Sequence, residues 1–247
     1  MKNIAMRLIY DGSKYHGWQY QKNGITVQQT LEEALSDITG EEIKVTGCSR
    51  TDAGVHALDY VMNFVTNTSI PTDKLPYALN YRLNNDIVAL DAWEADADFS
   101  ARFSSKGKRY IYKIWNGKIR NPFFVGYSWY LPYNLERDMM TEAAKYFVGT
   151  HDFSAFMAVG GSQKTTVRTI RECSVEFDND HSELIIVTVE ADAFLYNMVR
   201  IITGTIVEAG FGKILPEDIP QIINSCDRRR SGATAPPEGL FLKKVYY

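Results

Sequence analysis

Read from its N-terminus, this chain switches between strand-like and helix-like apolar segments in an order that few folds accommodate. Residues 4–10 read as a strand, followed by a polar, glycine-containing stretch from Asp11 to Gln19. A helix is well marked next. Thr26 stands at its cap with Gln29 three residues on, Val27, Leu31, Leu35 and Ile38 form its apolar stripe, and Gly40 stops it. Strands are expected at 42–46 and 58–66, a helix at 72–81 and a strand at 87–93. That completes β-α-β-β-α-β, the ferredoxin-like order.

The second half repeats the layout loosely. Strands are expected at 108–115, 169–177 and 184–190, helices at 135–148 and 193–209, a short helix near 216–225, and a last strand at 240–246. The halves show no residue-level self-similarity, so the duplication is an inference from element order. The boundary falls near Asp98–Lys106, giving an N-terminal domain at 1–100 and a C-terminal domain at 101–247. The expected class is α+β: two ferredoxin-like halves sharing a mostly antiparallel central sheet.

Composition excludes several functions. Three cysteines, Cys48, Cys173 and Cys226, lie far apart and form no C-x-x-C pair, which suits reduced thiols better than a disulfide framework. The histidines show no metal-ligand spacing, so no metal is expected. No stretch approaches the roughly 18 apolar residues of a membrane span, and a soluble cytoplasmic protein is the default. The net charge of −3 argues mildly against a nucleic-acid partner, but the average conceals a local asymmetry. Between Phe99 and Leu135 there are seven basic residues and no acid: Arg102, Lys106, Lys108, Arg109, Lys113, Lys118 and Arg120. Aromatic residues, among them Phe103, Tyr110, Tyr112, Trp115, Phe123 and Tyr133, are interleaved with them. Such a segment can hold phosphates and stack unpaired bases; it also fits a solvated strand edge with ordinary core aromatics. Lys164, Arg168 and Arg171 add later basic residues, and Arg228–Arg230 could bind RNA or end a solvated helix.

The segment that points to chemistry is Gly47-Cys48-Ser49-Arg50-Thr51-Asp52-Ala53-Gly54-Val55-His56-Ala57. It falls between two expected strands, so it is a loop, and its small residues leave backbone room beside a carboxylate. The plainer reading is an Asx-turn, with Asp52 bonded to local backbone and Gly54 supplying positive φ.

Arg50 to Ala57 resembles, without a gap, the signature of the TruA family of tRNA pseudouridine synthases. The resemblance runs along nearly the whole chain. Tyr10-Asp11-Gly12 with Gly17-Trp18-Gln19, Phe99–Phe103 leading to Lys108-Arg109-Tyr110, His151–Ser154, Arg168-Thr169-Ile170, Ala193-Phe194-Leu195, Met198-Val199-Arg200 and Ala235-Pro236 with Gly239-Leu240 occur in the family's order. Ser49 stands where the family often has glycine, and Asn85 where proline usually precedes Asp-Ile; neither position carries the reaction.

The resemblance implies conversion of uridine to pseudouridine in tRNA, at positions 38 to 40 of the anticodon stem-loop, by a homodimer that needs no cofactor. It makes Asp52 the essential carboxylate, through attack on the sugar, attack on the base or abstraction of a ribose proton. Arg200 matches the family's cation that keeps the carboxylate ionised against burial. Tyr110 matches the tyrosine that stacks on the target base, and Arg50 the arginine that assists base extrusion. Lys108, Arg109 and Arg168 are further candidates for substrate binding, while Thr51 and His56 read as loop scaffold. On a helix over 193–209, Arg200 would share a narrow face with Ala193, Asn197 and Gly204. The plainer readings are a surface arginine for Arg200 and an interior strand residue for Tyr110. Two alternatives stand beside the enzyme: a non-catalytic ferredoxin-like RNA-binding module, and a nucleoside or nucleotide hydrolase in which Asp52 activates water.

Overall fold

The computed structural model describes residues 1–161 and 164–247, in two units: 1–106 with 241–247, and 107–240. The chain's last strand, expected in the second half, is thus counted with the first.

In the first unit, β1 (Lys2–Tyr10) lies between β3 (His56–Thr66) and β4 (Ile87–Ala95) and pairs antiparallel with both. The two-residue β2 (Thr46–Gly47) joins β3 antiparallel, and β10 (Leu240–Tyr246) runs parallel to β3 at Phe241–His56 and Leu242–Ala57. Alternation sends Ile4, Met6, Leu8 and Tyr10 to one face, opposite Phe64, Met62 and Tyr60, all buried. Helix α1 (Val27–Thr39) buries Val27, Leu31 and Leu35, and α2 (Leu75–Arg82) buries Leu75 and Leu79. Each such side chain contributes about 2 kcal/mol of apolar burial. The α1 ends form as the sequence dictates. Thr26 accepts from the Gln29 amide at 3.3 Å and Gly40, at φ 70°, closes the last turn.

The strand expected at 42–46 shrinks to β2 for a local reason. The amide of Ile43 donates to Ser36 Oγ at 3.0 Å and that of Val45 to Glu32 Oε1 at 3.1 Å. Side chains of α1 therefore supply acceptors that a ladder would otherwise provide.

The second unit orders its main strands β5 (Gly107–Trp115), β9 (Leu184–Ala191), β8 (Val167–Phe177) and β7 (Gly149–Asp152), all antiparallel, with β6 (Trp129–Tyr130) parallel to β5. Its helices are α3 (Arg137–Lys145), α4 (Met198–Gly210) and α5 (Ile219–Ser225). The α+β class with a mostly antiparallel sheet is therefore present in each unit. The α4 helix is buried almost all round, which is why it lacks a clean amphipathic stripe.

The helix expected over 193–209 begins five residues late. Asn197 takes a left-handed conformation, φ 60°, which no α-helix can include. Residues 193–197 are held as a loop instead. Asp192 Oδ1 accepts from the Ala193 amide at 2.7 Å, and the Tyr196 carbonyl accepts from the Ala158 amide at 3.1 Å. Ala193 and Asn197 are accordingly not on a helical face with Arg200. Strand β7 has no sequence signal: four residues, half of them exposed, carry too little pattern.

Candidate functional site

Asp52 sits half-buried at the head of a tight turn in the first unit. The turn is closed by its main chain: the Val55 amide donates to the Asp52 carbonyl at 3.2 Å, with Gly54 at φ 78° supplying the third position. The positive φ expected of Gly54 is observed, while the closing acceptor is a backbone carbonyl.

Beneath the turn, buried side chains hold the loop. Tyr10 and Thr51 join hydroxyls at 2.8 Å, and Thr51 is only 7% exposed. The Tyr60 hydroxyl donates to the Ser49 carbonyl, and the Trp18 amide to the Thr51 carbonyl at 3.1 Å. Trp18 stacks on Tyr60 with centroids 4.2 Å apart, and Tyr10 meets the same ring at 5.5 Å. His56, 1% exposed, stacks on Phe241, accepts from the Gly12 amide at 3.2 Å and lies 3.1 Å from Asp11 Oδ1. A Cβ on Gly12 would lie 2.0 Å from the Val55 carbonyl oxygen, so only glycine lets the two segments approach this closely. Thr51 and His56 are scaffold, as their types suggest, and Tyr10 and Tyr60 join them. Arg50, on the same loop, is exposed.

In the second unit Tyr110 is 6% exposed on β5, with the Phe194 ring edge-on at 5.0 Å. Phe194 belongs to the loop that ends at Asn197, so Tyr110 and the residues leading to Arg200 share a neighbourhood. Lys108 alternates onto Tyr110's face of β5 and Arg109 onto the other. There Arg109 Nη2 lies 2.6 Å from Glu172 Oε2, and its Nε donates to Glu190 Oε2 at 2.9 Å. Arg109 thus cross-links β5, β9 and β8.

Arg200 occupies the first turn of α4. Its Nε donates to the Ala235 carbonyl at 2.7 Å, its Nη1 to Asn197 Oδ1 at 2.8 Å, and its own carbonyl accepts from the Ala235 amide at 3.1 Å. The segment 231–236 lies against α4: Gly232 donates to Thr205 Oγ1 at 2.9 Å, and a Cβ on Gly204 would meet the Ala233 carbonyl at 1.8 Å. The small-residue face expected around Arg200 is real at Gly204, but this strap covers it. Tyr112 donates to the Pro236 carbonyl at 2.7 Å, and its burial raises the phenol's pKa, so it stays a neutral donor. Of the arginine triplet, Arg228 ties the strap down through Gly232 and Thr234, each at 3.0 Å, while Arg229 pairs with Asp227.

Arg168 is 9% exposed on β8; it donates to Thr165 Oγ1 and the Val167 carbonyl, and its Nε is buried with no hydrogen-bond partner among the described residues. The basic, aromatic segment divides in two. Tyr110, Tyr112 and Trp115 are buried, whereas Phe103, Phe123 and Tyr133 are exposed. Among the described residues, no group of histidine, cysteine, aspartate or glutamate could hold a metal, and no helix is long and apolar enough to cross a membrane.

The model of a family described as tRNA pseudouridine synthase matches residues 7–104 and 143–247. A protein named tRNA pseudouridine synthase A from Thermoanaerobacter sp. (strain X514) is 49% identical over 247 residues, all of both chains. Proteins of the same name from Acetivibrio thermocellus and Clostridium acetobutylicum are 49% and 47% identical, again over 100% of both chains. Among solved structures, a chain of an H/ACA RNP bound to a substrate RNA containing 2'-deoxyuridine aligns with a TM-score of 0.40 and 12% identity, covering 83% of this chain and 43% of that one.

Proposed function

Since the chain belongs to the tRNA pseudouridine synthase family, enzymes that convert uridine to pseudouridine in tRNA, we propose that it acts in the anticodon stem-loop with Asp52 as its essential carboxylate. The target uridines are those at positions 38 to 40, and the working form is a homodimer in the cytoplasm. The reaction breaks the bond from the ribose to N1, turns the base and rejoins it through C5. The proton lost from C5 is balanced by one gained at N1, so the product is an isomer.

One observation carries the assignment of Asp52. Its turn is fastened by the Tyr60 hydroxyl on the Ser49 carbonyl, the His56 imidazole on the Gly12 amide and the buried Tyr10–Thr51 hydroxyl pair, an arrangement suited to holding a carboxylate in place. Arg200 and Arg50 are assigned as supporting cations, and Tyr110 as the ring that stacks on the extruded base, where flipping costs a few kcal/mol. Lys108, on Tyr110's face, and Arg168 are assigned to the RNA backbone. Arg109, held by two glutamates on the opposite face, is assigned to sheet cohesion first. If about four phosphates are neutralised, log affinity should fall with log salt at a slope of roughly −3 to −4.

The deciding experiment treats unmodified tRNA with the parent and with Asp52→Ala, mapping pseudouridine and measuring tRNA affinity. Loss of modification with affinity kept supports the reading; equal turnover by both proteins ends it. Release of free uracil would favour the hydrolase, and modification confined to another arm would move the target away from the anticodon.

A further inference from the structure

Asn197 departs from the usual geometry of a helix cap. It holds the cap position of α4, where an asparagine side chain ordinarily accepts from an amide of the first turn. Here it makes no capping bond and takes φ 60° instead. Its amide oxygen is turned to Arg200 Nη1 at 2.8 Å. A guanidinium can only donate, so the atom facing it must be Oδ1. Arg200 also sits at the end of the helix where the dipole is positive, which disfavours a cation. Two local preferences, of the cap and of the charge, are overridden at positions three residues apart, and the common result is one guanidinium orientation.

The Ala235 carbonyl fixes Nε and the Asn197 amide fixes Nη1. Because the guanidinium is planar, these two acceptors define the plane and direction of the whole fork. The left-handed backbone at Asn197 lets its side chain reach forward to Arg200 while its own carbonyl still accepts from the Ile201 amide at 3.0 Å. Asparagine and aspartate are the residues, besides glycine, that adopt this conformation readily and also carry an oxygen at that reach.

We propose that Asn197 is a positioning residue for pseudouridine formation, acting through Arg200, whose guanidinium it aims. This rests on the role assigned to Arg200 above. Asn197→Gly keeps the left-handed backbone and deletes the acceptor; Asn197→Asp keeps both the backbone tolerance and an oxygen. Single-turnover conversion, tRNA affinity and thermal melting would be measured for both, for Arg200→Met, and for Asn197→Gly combined with Arg200→Met.

Asn197→Gly should slow conversion about 10- to 100-fold, the range expected when a reacting constellation is misaimed, with tRNA affinity within about twofold. Asn197→Asp should recover most of that rate. In the Arg200→Met background Asn197→Gly should add nothing, since residues acting as a unit are not additive. A parental rate in Asn197→Gly, equal losses in the glycine and aspartate variants, or losses that multiply with Arg200→Met would each overturn the proposal. A lowered melting temperature with normal conversion would mean a structural role and overturn it too. If Arg200→Met itself converts tRNA at the parental rate, the assignment of Arg200 fails along with the proposal. If Arg200→Met fails and Asn197→Gly does not, only the proposal falls.

Discussion

The loop that carries Asp52 and the helix start that carries Arg200 each follow a left-handed or tight turn, yet the two side chains are held in opposite ways. Around Asp52, side chains grip the loop: Tyr60 holds the Ser49 carbonyl, His56 holds the Gly12 amide, and Tyr10 holds the Thr51 hydroxyl. Around Arg200, acceptors grip the head of the side chain: the Ala235 carbonyl takes Nε and the Asn197 side-chain oxygen takes Nη1. The difference follows from side-chain length. A carboxylate one carbon from the backbone goes where its backbone goes, so fixing the loop fixes the acid. A guanidinium on a three-carbon stem keeps rotamer freedom even on a rigid helix, and must be fixed at its head.

The sharpest break in this comparison is at the charged groups themselves. Asp52→Asn preserves shape and loop anchoring, so conversion should fall by about 10³-fold or more while tRNA affinity changes by a few-fold at most. Rapid-quench conversion and filter binding on the same preparation would check it. A modest loss would mean that the loop's rigidity, and not its carboxylate, is what the anchoring protects.

Next in size is the backbone beneath Asp52. Gly12→Ala places a methyl group 2.0 Å from the Val55 carbonyl oxygen, backbone against backbone, with nothing flexible to yield. It should destabilise the protein by about 3 kcal/mol or more. Gly40→Ala is the control. Its φ of 70° needs the left-handed region, which Gly12 does not, and with nothing within 4 Å of the new Cβ it should cost only about 1 kcal/mol. Urea unfolding of the pair separates crowding from backbone strain.

Smaller effects test the two modes of holding against each other. Tyr10→Phe removes a buried partner from Thr51, and Tyr112→Phe removes one from the Pro236 carbonyl; each should cost about 1–2 kcal/mol. Their kinetic consequences should differ. Tyr10→Phe frees the hydroxyl of Thr51, the residue before Asp52, and should slow conversion about tenfold. Tyr112→Phe loosens the strap one residue beyond the Ala235 acceptor, and should slow it only about two- to threefold. Similar losses in both would erase the distinction.

Legibility from sequence divides along the same line. Helix α1 could be read closely because its signals are local: Thr26 bonds to an amide three residues away and Gly40 closes the same helix. The strand expected at 42–46 does not form in full because Ser36 and Glu32, on the preceding helix, take up amides of that segment. The late start of α4 was hidden because Asn197's left-handed turn is tied to Arg200, not to any apolar period. At the site, the charged residues could be named from motifs alone. Their supports could not, since Tyr10 lies 41 residues from Thr51 and Tyr112 lies 124 from Pro236. A pattern search sees neither. Tyrosines spaced along a strand read as core, and here the same rings are core and anchor at once.

The smallest predicted effect concerns Arg168, which fits neither mode. The residue is 9% exposed, the Thr165 and Val167 oxygens that accept from it are neutral, and its buried Nε finds no hydrogen-bond partner among the described residues. A cation so placed loses hydration with little return, so a fold selected for stability alone would favour an apolar side chain. Arg168→Met should therefore leave stability within about 1 kcal/mol of the parent, or raise it. If the charge is kept for the RNA backbone, the same variant should weaken tRNA binding several-fold and reduce the salt slope by about one. A marked loss of stability with an unchanged salt slope would instead make Arg168 part of the β8 scaffold, and a third way of fixing a cation in this unit.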